Sequence, residues 1–133
     1  MLLLASLALA MAPLVPFEET CRLAPVVVVA EVTSTEVRWS ERGTLETWVD
    51  LAVATTFKGA LPTGARVVLP GGVLAGLRQD YEDTPTLQAD HRYLLLLRPR
   101  DAGEWAPFGG EAGVVTLGWQ EDAASRLGGC HAR

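Results

Sequence analysis

Between Pro25 and Gly59 the chain carries two long segments of β character, separated by the polar turn Ser40-Glu41-Arg42-Gly43. The first begins Val26-Val27-Val28-Val29-Ala30-Glu31-Val32. Its β-branched side chains lose rotamer freedom in a helix, so it reads as a strand, fully buried at its start and amphipathic further on. The second alternates. Leu45, Thr47, Val49, Leu51, Val53, Thr55 and Phe57 fall on one face, and Glu46, Trp48, Asp50, Ala52, Ala54, Thr56 and Lys58 on the other. That period of two belongs to a half-buried antiparallel strand. At more than about twice the common strand length it has to bend or bulge, and long bent strands are what small barrels need.

Downstream, Ala65 to Leu69 reads as a third strand stopped by Pro70-Gly71-Gly72, because Pro lacks a ladder donor and paired Gly weakens a continuing strand. Val73 to Asp90 is expected to be a connector with one short strand or helical turn near Leu74 to Leu77, since Gly76, Asp80, Asp83, Pro85 and Asp90 interrupt its pattern. Long excursions of this kind often carry function. His91 to Arg98 contains Leu94-Leu95-Leu96-Leu97, which is expected to be a central strand buried on both faces and ended by Pro99. Glu104 to Phe108 and Gly113 to Leu117 read as short strands about Gly109-Gly110, and Trp119 to Leu127 as one short helix ended by Gly128-Gly129. The fold class is therefore all-β: a small five- to six-stranded barrel with at most one short C-terminal helix, a sandwich being the second choice.

With 133 residues, 49% of them hydrophobic, the chain can bury one core and is too short for two. Met1 to Ala12 is uncharged and apolar, with Ala8, Ala10 and Ala12 offering A-x-A-like cleavage. It reads as a secretory signal peptide, or else as a buried N-terminal helix of a cytoplasmic protein. Pro13, Pro16, Glu18 and Glu19 end the run short of the roughly 20 apolar residues of a membrane span. The expected division is signal peptide 1–12, lead segment 13–24, barrel domain 25–127 and tail 128–133, in a secreted or periplasmic protein.

Cys21 and Cys130 stand near opposite ends, which in an oxidising compartment permits one disulfide, the alternative being two free thiols. Closing so long a loop would stabilise the fold by roughly 4 to 5 kcal/mol in the chain-entropy account. A net charge of −5 with scattered acids disfavours nucleic acid and anionic membrane, which need clustered Lys and Arg. No H-E-x-x-H, G-x-S-x-G, P-loop or C-x-x-C occurs, and there are two His, His91 and His131, so the chain is expected to be no enzyme and to need no cofactor or metal. Cys21, Cys130 and His131 fall short of the four ligands of a structural zinc site. Glu82-Asp83 and Glu121-Asp122 are sequence neighbours and read as solvated charge; a carboxylate hydrolase built on Glu82, Asp83, Asp90 or Glu104 is the competing class. Trp48 is the odd residue of its polar face: either it packs beneath the connector, or it joins Arg38, Trp39 and Tyr81 in a patch for a protein or peptide partner.

Five pieces in order carry a family resemblance: Ala24-Pro25 through Val32, Arg38-Trp39, Thr47 to Gly59 closing in Phe57-Lys58-Gly59, Pro70-Gly71-Gly72, and His91-Arg92-Tyr93 with the four Leu. Over Cys21 to Leu117 the chain resembles the OB-like, netrin-type domain of tissue inhibitors of metalloproteinases. It is more closely similar to a small exported bacterial domain found ahead of matrixin-type metalloproteases. The resemblance implies an OB-like barrel and an exported, non-enzymatic binding module, with a metalloprotease among its candidate partners, or an accessory or targeting domain for a secreted protease or surface assembly. In the animal inhibitors a mature N-terminal cysteine grips the protease zinc, a role that would fall to Cys21. Cleavage directly before Cys21 would put Glu18 and Thr20 at the −3 and −1 positions, where signal processing favours small residues.

Overall fold

The alternation of residues 45–58 becomes a single strand in the computed structural model, which describes residues 17–101 and 103–118. Among these, a helix α1 (Phe17–Leu23) precedes strands β1 (Val26–Trp39), β2 (Leu45–Lys58), β3 (Arg66–Pro70), β4 (Gly72–Leu74), β5 (Leu77–Gln79), β6 (Arg92–Pro99), β7 (Glu104–Pro107) and β8 (Val114–Leu117), with a 3-10 turn at Gly110–Gly113. β1, β2, β3, β7 and β6 follow one another in a ring that closes by the pairing of β6 with β1. Within it β3 and β7 run parallel and the other neighbours antiparallel. β8 adds to β6 beside β7. The molecule is thus a small all-β, barrel-like fold with one short helix among the described residues.

Closing so few strands needs bends, and the β1–β2 ladder supplies them. Its register slips between Val27 and Val28, between Val29 and Ala30, and between Val32 and Ser34, leaving Phe57, Ala54 and Thr33 as the extra residues of local bulges. β6 pairs only with Val26 to Glu31 of β1, so the rest of β1 runs past the barrel with β2 and β3 as a projecting ribbon. At its other end β2 outruns β3, which pairs only with Glu46 to Asp50. Val53 is therefore exposed, although alternation puts it on the buried face.

The apolar runs are buried on both sides for two different reasons. Val26, Val28, Ala30 and Val32 of β1 face Tyr93, Leu95 and Leu97 of β6 inside the ring. Their alternates Val27, Val29, Leu94 and Leu96 form a second cluster with Cys21, Ala24 and Leu117, against which Phe17 packs. Helix α1 is what covers the outer face. A fully buried Leu or Val contributes about 1.5 to 3 kcal/mol, so α1, which lies within the expected lead segment 13–24, packs on the barrel through Phe17 and Cys21. The buried Tyr93 hydroxyl accepts the Gln88 N–H at 2.9 Å, which satisfies the one polar group of that side chain.

The connector of residues 73–90 holds the short β4–β5 hairpin rather than a helical turn. No described helix is long and apolar enough to cross a membrane. The expected signal peptide, the helix over Trp119 to Leu127 and the tail with Cys130 and His131 lie outside the described residues.

Candidate functional site

On the outer face of the ribbon, alternation sets Glu36 and Arg38 of β1 beside Glu46, Trp48 and Asp50 of β2 and Arg66 of β3. The register pairs Glu36 with Trp48, Arg38 with Glu46, and Asp50 with Arg66. Trp48 is the centre. The Arg38 guanidinium carbon stands 4.1 Å from its ring centroid and that of Arg66 4.3 Å, two cation–π contacts on one indole. The indole N–H donates to Glu46 Oε1 at 2.8 Å, and Val68, opposite Trp48, is only 3% exposed. Trp48 is thus neither beneath the connector nor a free aromatic.

Each charge of this face is paired. Arg66 Nε donates to Asp50 Oδ1 at 3.1 Å, Ser34 Oγ donates to Asp50 Oδ2 at 3.0 Å, and Arg38 donates to Glu36 at 2.9 Å. Arg100 bridges Glu104 at 3.0 Å and Glu46 at 3.5 Å. The hydrogen bond from Arg66 holds the Asp50 carboxyl below its usual range against a smaller desolvation effect, and the Ser34 hydroxyl helps. The face is a closed set of ion pairs and hydrogen bonds around one indole. It stiffens the ribbon.

The ribbon tip and the connector, far apart in sequence, form one end of the molecule. Gly72 passes so close to the ribbon that an added Cβ would stand 2.9 Å from Thr47 Oγ1 and from Val37. The Leu45 N–H donates to Gln79 Oε1 at 2.7 Å, and the Gly71 N–H to Leu45 O at 2.8 Å. Trp39, paired with Leu45, lies on the opposite sheet face from its neighbour Arg38. Tyr81 stands beside Gly71. The expected set Arg38, Trp39, Trp48 and Tyr81 therefore divides: Arg38 and Trp48 meet in the stack, whereas Trp39 and Tyr81 belong to the hairpin end. There they are 54% and 44% exposed, and on the hairpin itself Val73 at 53% and Leu77 at 47% stand on opposite faces. Alternation within β4 and β5 is too short to have marked Val73 and Leu77, and Arg66 enters the stack through a register that sequence spacing does not reveal.

Of the four residues of the hydrolase reading, Asp83 and Glu104 have separate partners for their carboxylates, and Asp90 is tied down through its backbone. Asp83 Oδ1 accepts the Glu111 N–H at 3.1 Å, Glu104 pairs with Arg100, and the Asp90 backbone N–H donates to Val32 O. His91 Nδ1 lies 3.0 Å from Ala89 O. Among the described residues no group of three or more His, Cys, Asp or Glu is placed to hold a metal. Cys21 is fully buried within α1, and no free thiol occurs among the described residues. No protein-family model matches the chain, and no curated protein is significantly similar to it.

Proposed function

We propose that this chain is an exported, non-enzymatic binding module of the OB-like, netrin-type class, docking a protein or peptide partner at the end built by the ribbon tip and the β4–β5 hairpin. The carrying observation is that Trp39, Val73, Leu77 and Tyr81, four of the six exposed large hydrophobic residues among those described, all belong to the ribbon tip, the hairpin and the turn after it, with Val73 and Leu77 on opposite faces of the hairpin. Exposed apolar side chains concentrated at one end on a stiff support mark a contact surface. A closed five-strand ring and the tight Gly59 close of β2 support the netrin-type reading. A matrixin-type metalloprotease is the first partner to test.

The zinc-gripping mode of the animal inhibitors has no support here. Cys21 sits inside α1, preceded by Phe17, which packs on the outer cluster, and by the buried Thr20. Cleavage before Cys21 would strip those contacts, so it serves better as an internal residue, paired in this proposal with Cys130. Intact mass of exported protein, with and without reductant, reads both the cleavage site and that pairing.

Selection of a randomised peptide display library on the exported protein tests the docking surface. Enriched peptides are expected to move the amide resonances of Trp39, Val73, Leu77 and Tyr81, and the Trp39→Ala/Tyr81→Ala double variant should bind them at least about tenfold more weakly. Failure to enrich any peptide, together with a matrixin catalytic domain neither bound nor inhibited, would overturn the reading.

A further inference from the structure

The ribbon has an open edge. Ser40 N–H donates to Thr44 O at 2.7 Å where β1 turns into β2. Counting back, Arg38, Glu36 and Ser34 direct their backbone groups at β2, and Trp39, Val37 and Thr35 direct theirs away from it. Lower on β1 the corresponding edge is occupied: Val32 N–H donates to His91 O at 2.9 Å, and Asp90 N–H to Val32 O at 2.8 Å. Beyond Val32, β6 has ended, and among the described residues nothing pairs with the outward backbone groups of Thr35, Val37 and Trp39. An unpaired strand edge is a template for another strand unless Pro, Lys or a bulge blunts it. From Ser34 to Trp39 the chain has no Pro and no Lys, and the last register slip lies before Ser34.

We infer that a second copy of this chain occupies that edge, antiparallel, about a two-fold axis at Val37. The register follows from charge. With Val37 opposite Val37 of the other copy, Thr35 meets Trp39, so outward-directed residues face one another and exchange two backbone bonds per pair. On the stacked face the same register sets Glu36 of each copy opposite Arg38 of the other, two opposite-charge pairs by symmetry. Centring the axis on Glu36 instead would oppose Glu36 to itself, which is repulsive. The Trp48 stack already holds the Arg38 guanidinium on this face, so little side-chain freedom is lost on pairing. This edge shares Trp39 with the proposed peptide-docking surface but uses its backbone rather than its side chain, and self-pairing needs no peptide.

Sedimentation equilibrium of the exported protein, without peptide, tests the inference. A reversible dimer is expected within a range reaching about 1 mM, where even weak interfaces fill. Val37→Pro removes an outward N–H that no strand of the same copy uses, and edge positions tolerate Pro, so it should fold and stay monomeric. Glu36→Arg and Arg38→Glu should each weaken dimerisation about tenfold or more, because both symmetric pairs become like-charged. Mixing the two variants restores both attractions and should recover the dimer as a heterodimer. Wild type that is monomeric throughout, a dimer indifferent to Val37→Pro, or a mixture that stays as monomeric as its parts would each overturn the inference.

Discussion

Gly59, which closes the Phe57-Lys58-Gly59 triplet, and Gly43, at the ribbon turn, make a controlled pair. Both hold a left-handed backbone, with φ of +70° and +80°. An added methyl at Gly43 meets nothing within 4 Å, whereas at Gly59 it runs into the backbone oxygen of Pro25 and reaches Val26 Cγ2 at 3.0 Å. Left-handed backbone costs an L-alanine about 1 to 2 kcal/mol in either place. Gly59→Ala adds a collision with main chain at the start of β1, which has to move with its buried Val26 and Val27; overpacking of that kind costs about 1 to 3 kcal/mol more. Gly43→Ala should therefore lose about 1 to 2 kcal/mol and Gly59→Ala about 2 to 5, a large part of the 5 to 15 kcal/mol of a typical domain. Urea unfolding followed by tryptophan fluorescence reads both as shifts of midpoint at unchanged slope. Equal losses within about 0.5 kcal/mol would refute the close approach as the reason for glycine at position 59.

Three further outcomes follow from the same contacts. Trp48→Ala should cost about 1 to 3 kcal/mol, from two cation–π contacts and the uncovering of Val68, whereas Trp48→Phe keeps a ring between Arg38 and Arg66 and should lose less than half of that; chemical denaturation of both distinguishes the stack from simple bulk. Gln79→Ala leaves the Leu45 N–H without its acceptor and should cost about 1 to 3 kcal/mol, while Gln79→Glu retains an acceptor oxygen and should recover much of it; exchange of the Leu45 amide monitors the loss directly. The folded-state pKa of Asp50 is depressed, so its contribution is fully present above the unfolded value of about 3.9 and is lost as pH falls through the folded value. The stability gap between wild type and Asp50→Asn should thus hold from neutral pH to about 5, then close in stronger acid, and shrink with added salt because the pair is half exposed; a gap that widens in acid would contradict it.

Residues whose role follows from spacing were legible, and residues whose role follows from closure were not. The valine run and the alternation of residues 45–58 give β1 and β2 to within a residue, and Leu94 to Leu97 mark β6 as buried on both faces, as it is between the barrel core and α1. The helix itself escaped notice. Phe17 to Leu23 is only 7 residues long and has a Pro at position 16, too short for a 3.6-residue stripe to stand out, and its purpose exists only once Leu94 and Leu96 have an outer side to cover. The split of the expected patch is a matter of parity, since Arg38 and Trp39 as sequence neighbours have to face opposite ways. Arg66 and Gln79 act on residues 16 and 34 positions away, a separation that only the folded register brings together.

The stacked face and the open edge of the ribbon do different work, and Arg38 joins them. On the stacked face the charges are satisfied in pairs, so its net contribution to stability is modest, but its geometry is fixed by the indole between two guanidiniums. A two-stranded ribbon alone is marginal in water; the third strand, the stack and the hairpin packed against Val37 and Thr47 hold it extended beyond the barrel. That extension keeps the outward groups of Thr35, Val37 and Trp39 clear of β6, while Trp39 shares the ribbon face on which Val37 meets Gly72 of the hairpin. Loss of the stack should therefore soften the edge before it unfolds the barrel: in Trp48→Ala, amide exchange should rise first over residues 34–39 and 45–49, with Leu94 to Leu97 still protected.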